Sequence, residues 1–171
     1  MANRIEGDTF ITGNLSAKTF TAPTGSITDD GIAGAAAIAA SKLQHQHTLD
    51  YSQADASDVV SEVKQIYIVR GVDATALDIQ VVVKTPPTGG DKKFTVDVKR
   101  SNQAAPSLVS ILSAPIVIDT SVSAFEIKAG TFSPASLIAG DVLTIEVVAS
   151  GSTGSQGQGV TVTTNIREDA E

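Results

Sequence analysis

Large apolar residues are sparse and irregular up to about residue 63, and dense and alternating beyond it. In the second part, short runs rich in Val, Ile and Leu are separated by turn residues. The pattern predicts strands over 64–70, 76–84, 93–100, 107–112, 116–119, 123–129, 142–149 and 159–167. Between them stand Pro86-Pro87-Thr88-Gly89-Gly90, Asn102 to Pro106, Gly130 to Pro134, and Ala139-Gly140-Asp141. Short strands punctuated in this way imply an antiparallel β-sandwich. Phe94-Thr95-Val96-Asp97-Val98-Lys99 alternates strictly, so one face should be buried and the other wet. Ile79 to Val83 is nearly all Ile and Val and reads as buried on both faces. Gly151 to Gly159 reads as a flexible hairpin tip.

The leading part reads differently. Residues 8–22 suggest two short extended pieces around Gly13-Asn14, and Pro23-Thr24-Gly25-Ser26 is a turn. Thr28-Asp29-Asp30 offers cap residues and acids for a helix start. A short Ala-rich helix is expected over 31–44, with Ile32, Ala35, Ala36, Ala39 and Leu43 on one face. Residues 51–62 are polar and read as a loop. The expected organisation is therefore an N-terminal arm over 1–63 and a sandwich over 64–171. An arm too poor in large apolar groups to build a core must find order on another surface or in copies of itself. Its candidate anchoring groups are Phe10, Ile11, Leu15, Phe20, Ile32, Ile38 and Leu43.

Composition narrows the function. Apolar residues make up 42% of the 171, but aromatics only 4%, with no Trp, so the core must be aliphatic. The formal charge is −7, which argues against nucleic acid as a partner, because phosphate neutralisation needs clustered Lys and Arg. Residues 1–63 carry eight acids and three bases (−5), and residues 64–171 eleven acids and nine bases (−2). The absence of Cys removes disulfides and thiolate chemistry. The start has no apolar leader-like run and no stretch reaches the ~18 residues of a membrane span. A protein made in a cytosol, without membrane insertion, is expected.

No catalytic constellation is legible: there is no Gly-x-Ser-x-Gly, no Walker loop, no His-Glu-x-x-His and no EF-hand loop. The chain is not expected to be an enzyme or to carry a cofactor. One sharper pattern is Gln44-His45-Gln46-His47. On an extended strand His45 and His47 point the same way. Three copies around an axis would offer six imidazoles, a set suited to a divalent first-row metal. The bland alternative is two solvated histidines in a linker.

Several stretches carry a resemblance. Ile27-Thr28-Asp29-Asp30-Gly31-Ile32-Ala33-Gly34-Ala35-Ala36-Ala37-Ile38-Ala39-Ala40-Ser41-Lys42-Leu43 resembles a segment of tailed-phage structural proteins that links an anchor to a distal domain. Ile11-Thr12-Gly13-Asn14-Leu15 looks like phage fibre and baseplate sequence. Phe94 to Val98, Val109 to Ile118 and Ile138 to Ile145 are similar to jelly-roll or sandwich domains of virion surface proteins. The resemblance implies a virion component, namely a head decoration (cement) protein or short head fibre. It further implies a homotrimer on the major capsid protein at the capsid surface, assembled in the host cytoplasm. Repeated shaft sequence is absent, so a long tail fibre is not implied. The alternative is a receptor- or glycan-binding tip, for which Tyr67 and Phe132 would be the surface rings. A bacterial surface or appendage subunit is a third class, opposed by the missing leader.

Overall fold

The computed structural model describes residues 45–70 and 73–168, all within one unit that runs over Ile38–Glu171. The expected helix over 31–44 and the anchoring candidates Phe10, Ile11, Leu15, Phe20, Ile32, Ile38 and Leu43 lie outside the described residues. Among the described residues there are ten strands and no helix: β1 (His45–Ser52), β2 (Glu62–Ile68), β3 (Ala74–Thr85), β4 (Lys93–Ser101), β5 (Val109–Ser110), β6 (Ile116–Ile118), β7 (Lys128–Gly130), β8 (Ser136–Leu137), β9 (Val142–Ser150) and β10 (Gln158–Glu168). They form two antiparallel sheets. One has the order β1-β10-β3-β7, with β8 also on β3; the other has the order β2-β9-β4-β5, with β6 also on β4.

The order follows from one long ribbon. β1 pairs with β10, β2 with β9, β3 with β7 and β8, and β4 with β5 and β6. Each chain crossing from β1 to β2, β3 to β4 and β9 to β10 changes sheet, so the two layers share one core. β1 and β2 stand on one flank; β6 and β7 stand on the other.

The alternation seen in the sequence explains the core. Phe94, Val96 and Val98 of β4, Leu143, Ile145 and Val147 of β9, and Val160, Val162 and Ile166 of β10 all point inward. Ile79, Val81 and Val83 of β3 face them from the first sheet. Burying each such side chain contributes about 1.5–3 kcal/mol. Among the described residues Phe94 is the one fully buried ring, set among aliphatic neighbours.

Four expectations are corrected. First, the boundary at 63/64 is too late. β1 is an edge strand of the first sheet, with His47, Leu49 and Tyr51 turned inward and Tyr51 and Val59 buried in the core. Only residues 53–61 form the expected loop. Second, β3 is not buried on both faces: Gln80 is exposed and Val82 half-buried. The strand also carries a bulge, since Asp78 pairs with Asn165 and Ala76 with Ile166, leaving Leu77 without an opposing residue. The extra residue resets the phase, so Ala74 and Ala76 again face the core. Third, 123–129 is mostly turn, and only Lys128–Gly130 is strand. Phe125 and Ile127 alternate correctly for a strand but point into solvent. Fourth, Gly151 to Gly159 is not a loose tip, as its contacts below show.

β4 is also less wet on its outer face than its pattern suggests. Asp97 is buried there, opposite Glu146 of β9 and accepting a hydrogen bond from Ser110 Oγ at 2.8 Å. Lys99 forms an ion pair with Glu146 beside it. Burial raises the Asp97 pKa above the ordinary carboxylate value, with Ser110 and Lys99 acting in the opposite direction. A raised native pKa means that folded protein holds the proton more tightly than unfolded protein. Stability is therefore lost as pH rises from the unfolded value, ~3.9, through the higher native one. Asp97→Asn is expected to raise the melting temperature at pH 7 by a few degrees and to change it little near pH 3. A lower melting temperature at pH 7 would show that the ionised carboxylate is instead a net stabiliser.

Candidate functional site

The described surface offers three places where chemistry or strain is concentrated. The first is the corner where β1, β2 and β10 meet. Tyr67 is brought there by a bulge at Ile66, because Gln65 pairs with Thr144 and Tyr67 with Leu143. Its hydroxyl donates to Glu168 Oε1 at 3.0 Å, and the Arg70 backbone N–H donates to the same oxygen at 2.9 Å. His47 stacks at an angle on the Tyr67 ring, with centroids 5.3 Å apart, and its Nε2 lies 3.6 Å from Glu168 Oε2. Burial, then the neighbouring Glu168, pushes the Tyr67 phenol up to about 12. A shallow depression of about 520 Å³ is lined by His47, Tyr67, Ile68, Arg70 and Glu168, among others.

The two histidines of the sequence pattern do sit two apart on a strand, with rings 6.5 Å from one another. Among the described residues no three His, Cys, Asp or Glu side chains converge into a metal-holding group. Tyr67 and Phe132, the rings that a sugar platform would need, are both engaged. Tyr67 is half-buried and hydrogen-bonded, and Phe132 packs against the core and bridges to Leu112.

Further along the same flank, Tyr51 closes the seam between the sheets. Its hydroxyl donates to Glu62 Oε2 at 2.7 Å and accepts from Gln53 Nε2 at 2.6 Å. Burial, helped by Glu62, raises its pKa to about 12. Lys64 reaches over the Tyr51 ring, 5.8 Å from its centre.

The second place is the end of the molecule where the β3–β4 and β9–β10 loops interlock. Asp91 accepts hydrogen bonds from the backbone N–H groups of Ser152 and Thr153 at 2.9 and 3.0 Å, and from Ser152 Oγ at 2.8 Å. The Ser152 N–H first and the Thr153 N–H second hold its carboxyl down to about 2. Thr88 N–H donates to the Ser155 carbonyl at 3.0 Å, and Gln156 Nε2 donates to the Ser150 and Lys93 carbonyls. Gly154 sits at φ +109°, and a Cβ there would lie 1.8 Å from the Thr88 carbonyl oxygen. The glycines read as flexibility are present because two backbones pass too closely for side chains.

The third is the opposite end, where Asp141 ties three segments. It is fully buried. It accepts from Asn102 Nδ2 at 2.8 Å and from the Ile138 backbone N–H at 2.9 Å, and it faces Arg100 at 3.5 Å.

Each of these three constellations ties neighbouring segments of the β unit together through the hydrogen bonds named. The exposed large apolar side chains include Val60, Val63 and Ile68 along the β2 flank, and Phe125 and Ile127 on the opposite one. Phe125 and Ile127 fall within 123–129, which the sequence pattern reads as a strand.

No protein-family model matches the chain, and no curated protein matches it. Among solved structures, the chain is similar to one from the capsid of Ralstonia phage GP4. The TM-score is 0.47 at 17% identity, covering 75% of this chain and 85% of that one.

Proposed function

We propose that this chain is a virion structural protein of a tailed phage, a decoration or cement protein that binds the capsid exterior as a homotrimer and stabilises it. The observation that carries this is the division of labour along the chain. Residues from His45 onward satisfy a core of their own. The preceding 44 residues hold Phe10, Ile11, Leu15, Phe20, Ile32, Ile38 and Leu43 among small and polar neighbours, too few for a second core. Such a segment suits anchoring to a large surface, and its resemblance to phage linker sequence agrees.

The strand order supports the finer fold assignment. Four ribbon pairs rolled so that the chain changes layer at each crossing, except at the ribbon's turn from β4 to β5–β6, is the order of a jelly roll, with β5–β6 and β7–β8 as broken strands. The work is mechanical: buried apolar area at each of many sites resists outward strain, and repetition raises avidity.

The test is deletion of residues 1–43. The remaining chain begins just before β1, so it should melt cooperatively at nearly the full-length temperature. Its binding to particles should fall by at least about a hundredfold, the scale on which multivalent attachment is lost. Full decoration by the truncated chain would place the anchor elsewhere.

A further inference from the structure

On one flank each sheet ends in a long strand, β1 in the first and β2 in the second. The two edges are built differently. β2 is blunted by its bulge at Ile66. Gln53 also occupies both backbone groups of Val60, accepting from the N–H at 2.9 Å and donating to the carbonyl at 2.8 Å. Glu168 holds the Arg70 N–H beyond the other end. β1 has none of these devices. Its eight residues keep an unbroken register with β10 and include no Pro, Gly or Lys. Folds commonly disrupt a long flat edge, because such an edge is a template for another strand.

The register shows which backbone groups are open. The Gln53 N–H donates to the Val160 carbonyl at 3.0 Å, so the odd-numbered residues of β1 bond to β10. The N–H and C=O groups of Gln46, Thr48, Asp50 and Ser52 therefore point away from the sheet. All four residues are exposed, and among the described residues no strand pairs with that side. A row of alternating backbone donors and acceptors recognises one kind of partner, an extended polypeptide.

The side chains on this row select a second copy of the same strand. An antiparallel pair centred on Asp50 would set carboxylate against carboxylate. A pair centred on Leu49 would leave the two Asp50 side chains as diagonal neighbours, about 7–8 Å apart. A pair centred on Thr48 keeps them well separated. It sets Thr48 of one copy against Thr48 of the other, a favourable cross-strand pair, and Gln46 against Asp50 on both sides. Thr48 Oγ1 donates to Asn165 Oδ1 at 2.6 Å and can still accept. Asp50 Oδ1 accepts from Thr163 Oγ1 at 2.8 Å, which leaves its second oxygen for the Gln46 amide. We propose that two copies of this chain join through β1 in the Thr48-centred register, making one continuous sheet across a two-fold axis. The contact is isologous, so it covers both open edges at once and stops there. It is separate from the three-fold assembly and the capsid attachment proposed above. Chains joined in this way alone number two, and trimers joined in this way number six.

The full chain has no Cys, which makes the test direct. Residues in a bonded antiparallel pair have Cα atoms about 5.5 Å apart, within reach of a disulfide. Oxidised Thr48→Cys should therefore run as a covalent dimer. Asp50→Cys should stay largely uncrosslinked, because it faces Gln46, and the Gln46→Cys/Asp50→Cys double variant should recover the dimer. Thr48→Pro removes an N–H that only the open edge displays, a place where strands tolerate Pro. By light scattering it should halve the mass of the wild-type assembly while its melting stays cooperative. A wild-type mass of one or three chains would overturn the contact. So would Asp50→Cys dimers as abundant as those of Thr48→Cys, or a folded Thr48→Pro chain with the wild-type mass. A dimer made through Thr48→Cys that does not bind particles would uphold this contact and count against the capsid reading instead.

Discussion

Replacing Asp141 with Ala is expected to lower the stability of the β unit by about 3 kcal/mol, with a range of roughly 2–4. Asp141 is wholly shielded from water and accepts from a side chain on the β4–β5 loop and a backbone group on the β8–β9 loop. Its removal leaves the Ile138 N–H and the Asn102 amide without their acceptor, each costing about 1–3 kcal/mol if left buried. Arg100 loses a partner too, but its side chain is one-third exposed and water compensates it. Asp141→Asn should cost less, since its amide oxygen can still accept from one donor. The check is chemical denaturation of both variants. Equal, small losses would mean that the loops relax around the site and that the carboxylate is not what ties them.

Gly154→Ala should cost a similar amount, about 2–4 kcal/mol, for a different reason. A methyl group there would sit 1.8 Å from the Thr88 carbonyl oxygen, and that neighbour is backbone, so it cannot rotate aside. The φ of +109° adds strain for any side chain. The two loops would have to separate, which also withdraws Ser152 and Thr153 from Asp91. Gly140→Ala is the matched control, because it shares a positive φ but has open space around it. A mobile tip would tolerate both substitutions equally, and equal melting temperatures would restore that picture. The Asp91 clasp has its own signature. Its native pKa is depressed to about 2, so its contribution is complete above the unfolded value of ~3.9 and is lost as pH falls toward 2. Acid should therefore release these loops in the wild type, and less so where Gly154→Ala has already parted them.

Much of the β unit was legible in the chain. β4, β9 and β10 were found within a residue or two of their ends, because alternating Val, Ile and Phe leave one arrangement that buries them. β1 was missed for the converse reason. Its inward side is His47, Leu49 and Tyr51, only two of them strongly apolar, and its outward side is Thr and Asp. It is a strand because β10 offers it an edge: Thr48 and Asp50 meet Asn165 and Thr163 there. No local signal contains that edge. β8 is two residues long and exists only through its pairing with β3.

The candidate site was less legible than the fold. Phe125 and Ile127 have the spacing of a buried strand face, and sequence alone gives no sign that the backbone turns left-handed just there. Whether an apolar residue is core or contact depends on where the crossing segments fall. The bulges at Ile66 and Leu77 act in the same way, since one additional residue exchanges the two faces of a strand and is invisible to periodicity.

The amino-acid order alone determined that this would be an aliphatic, antiparallel β protein whose large apolar residues are concentrated in the later part of the chain. Those properties are local: they follow from side-chain volume, alternation and turn chemistry within a few residues. Tertiary structure decided which strand lies at each edge, which glycines mark close backbone crossings rather than slack, and which apolar groups are left facing outward. Those depend on pairings between residues far apart in the chain, and only the completed ribbon brings the partners together.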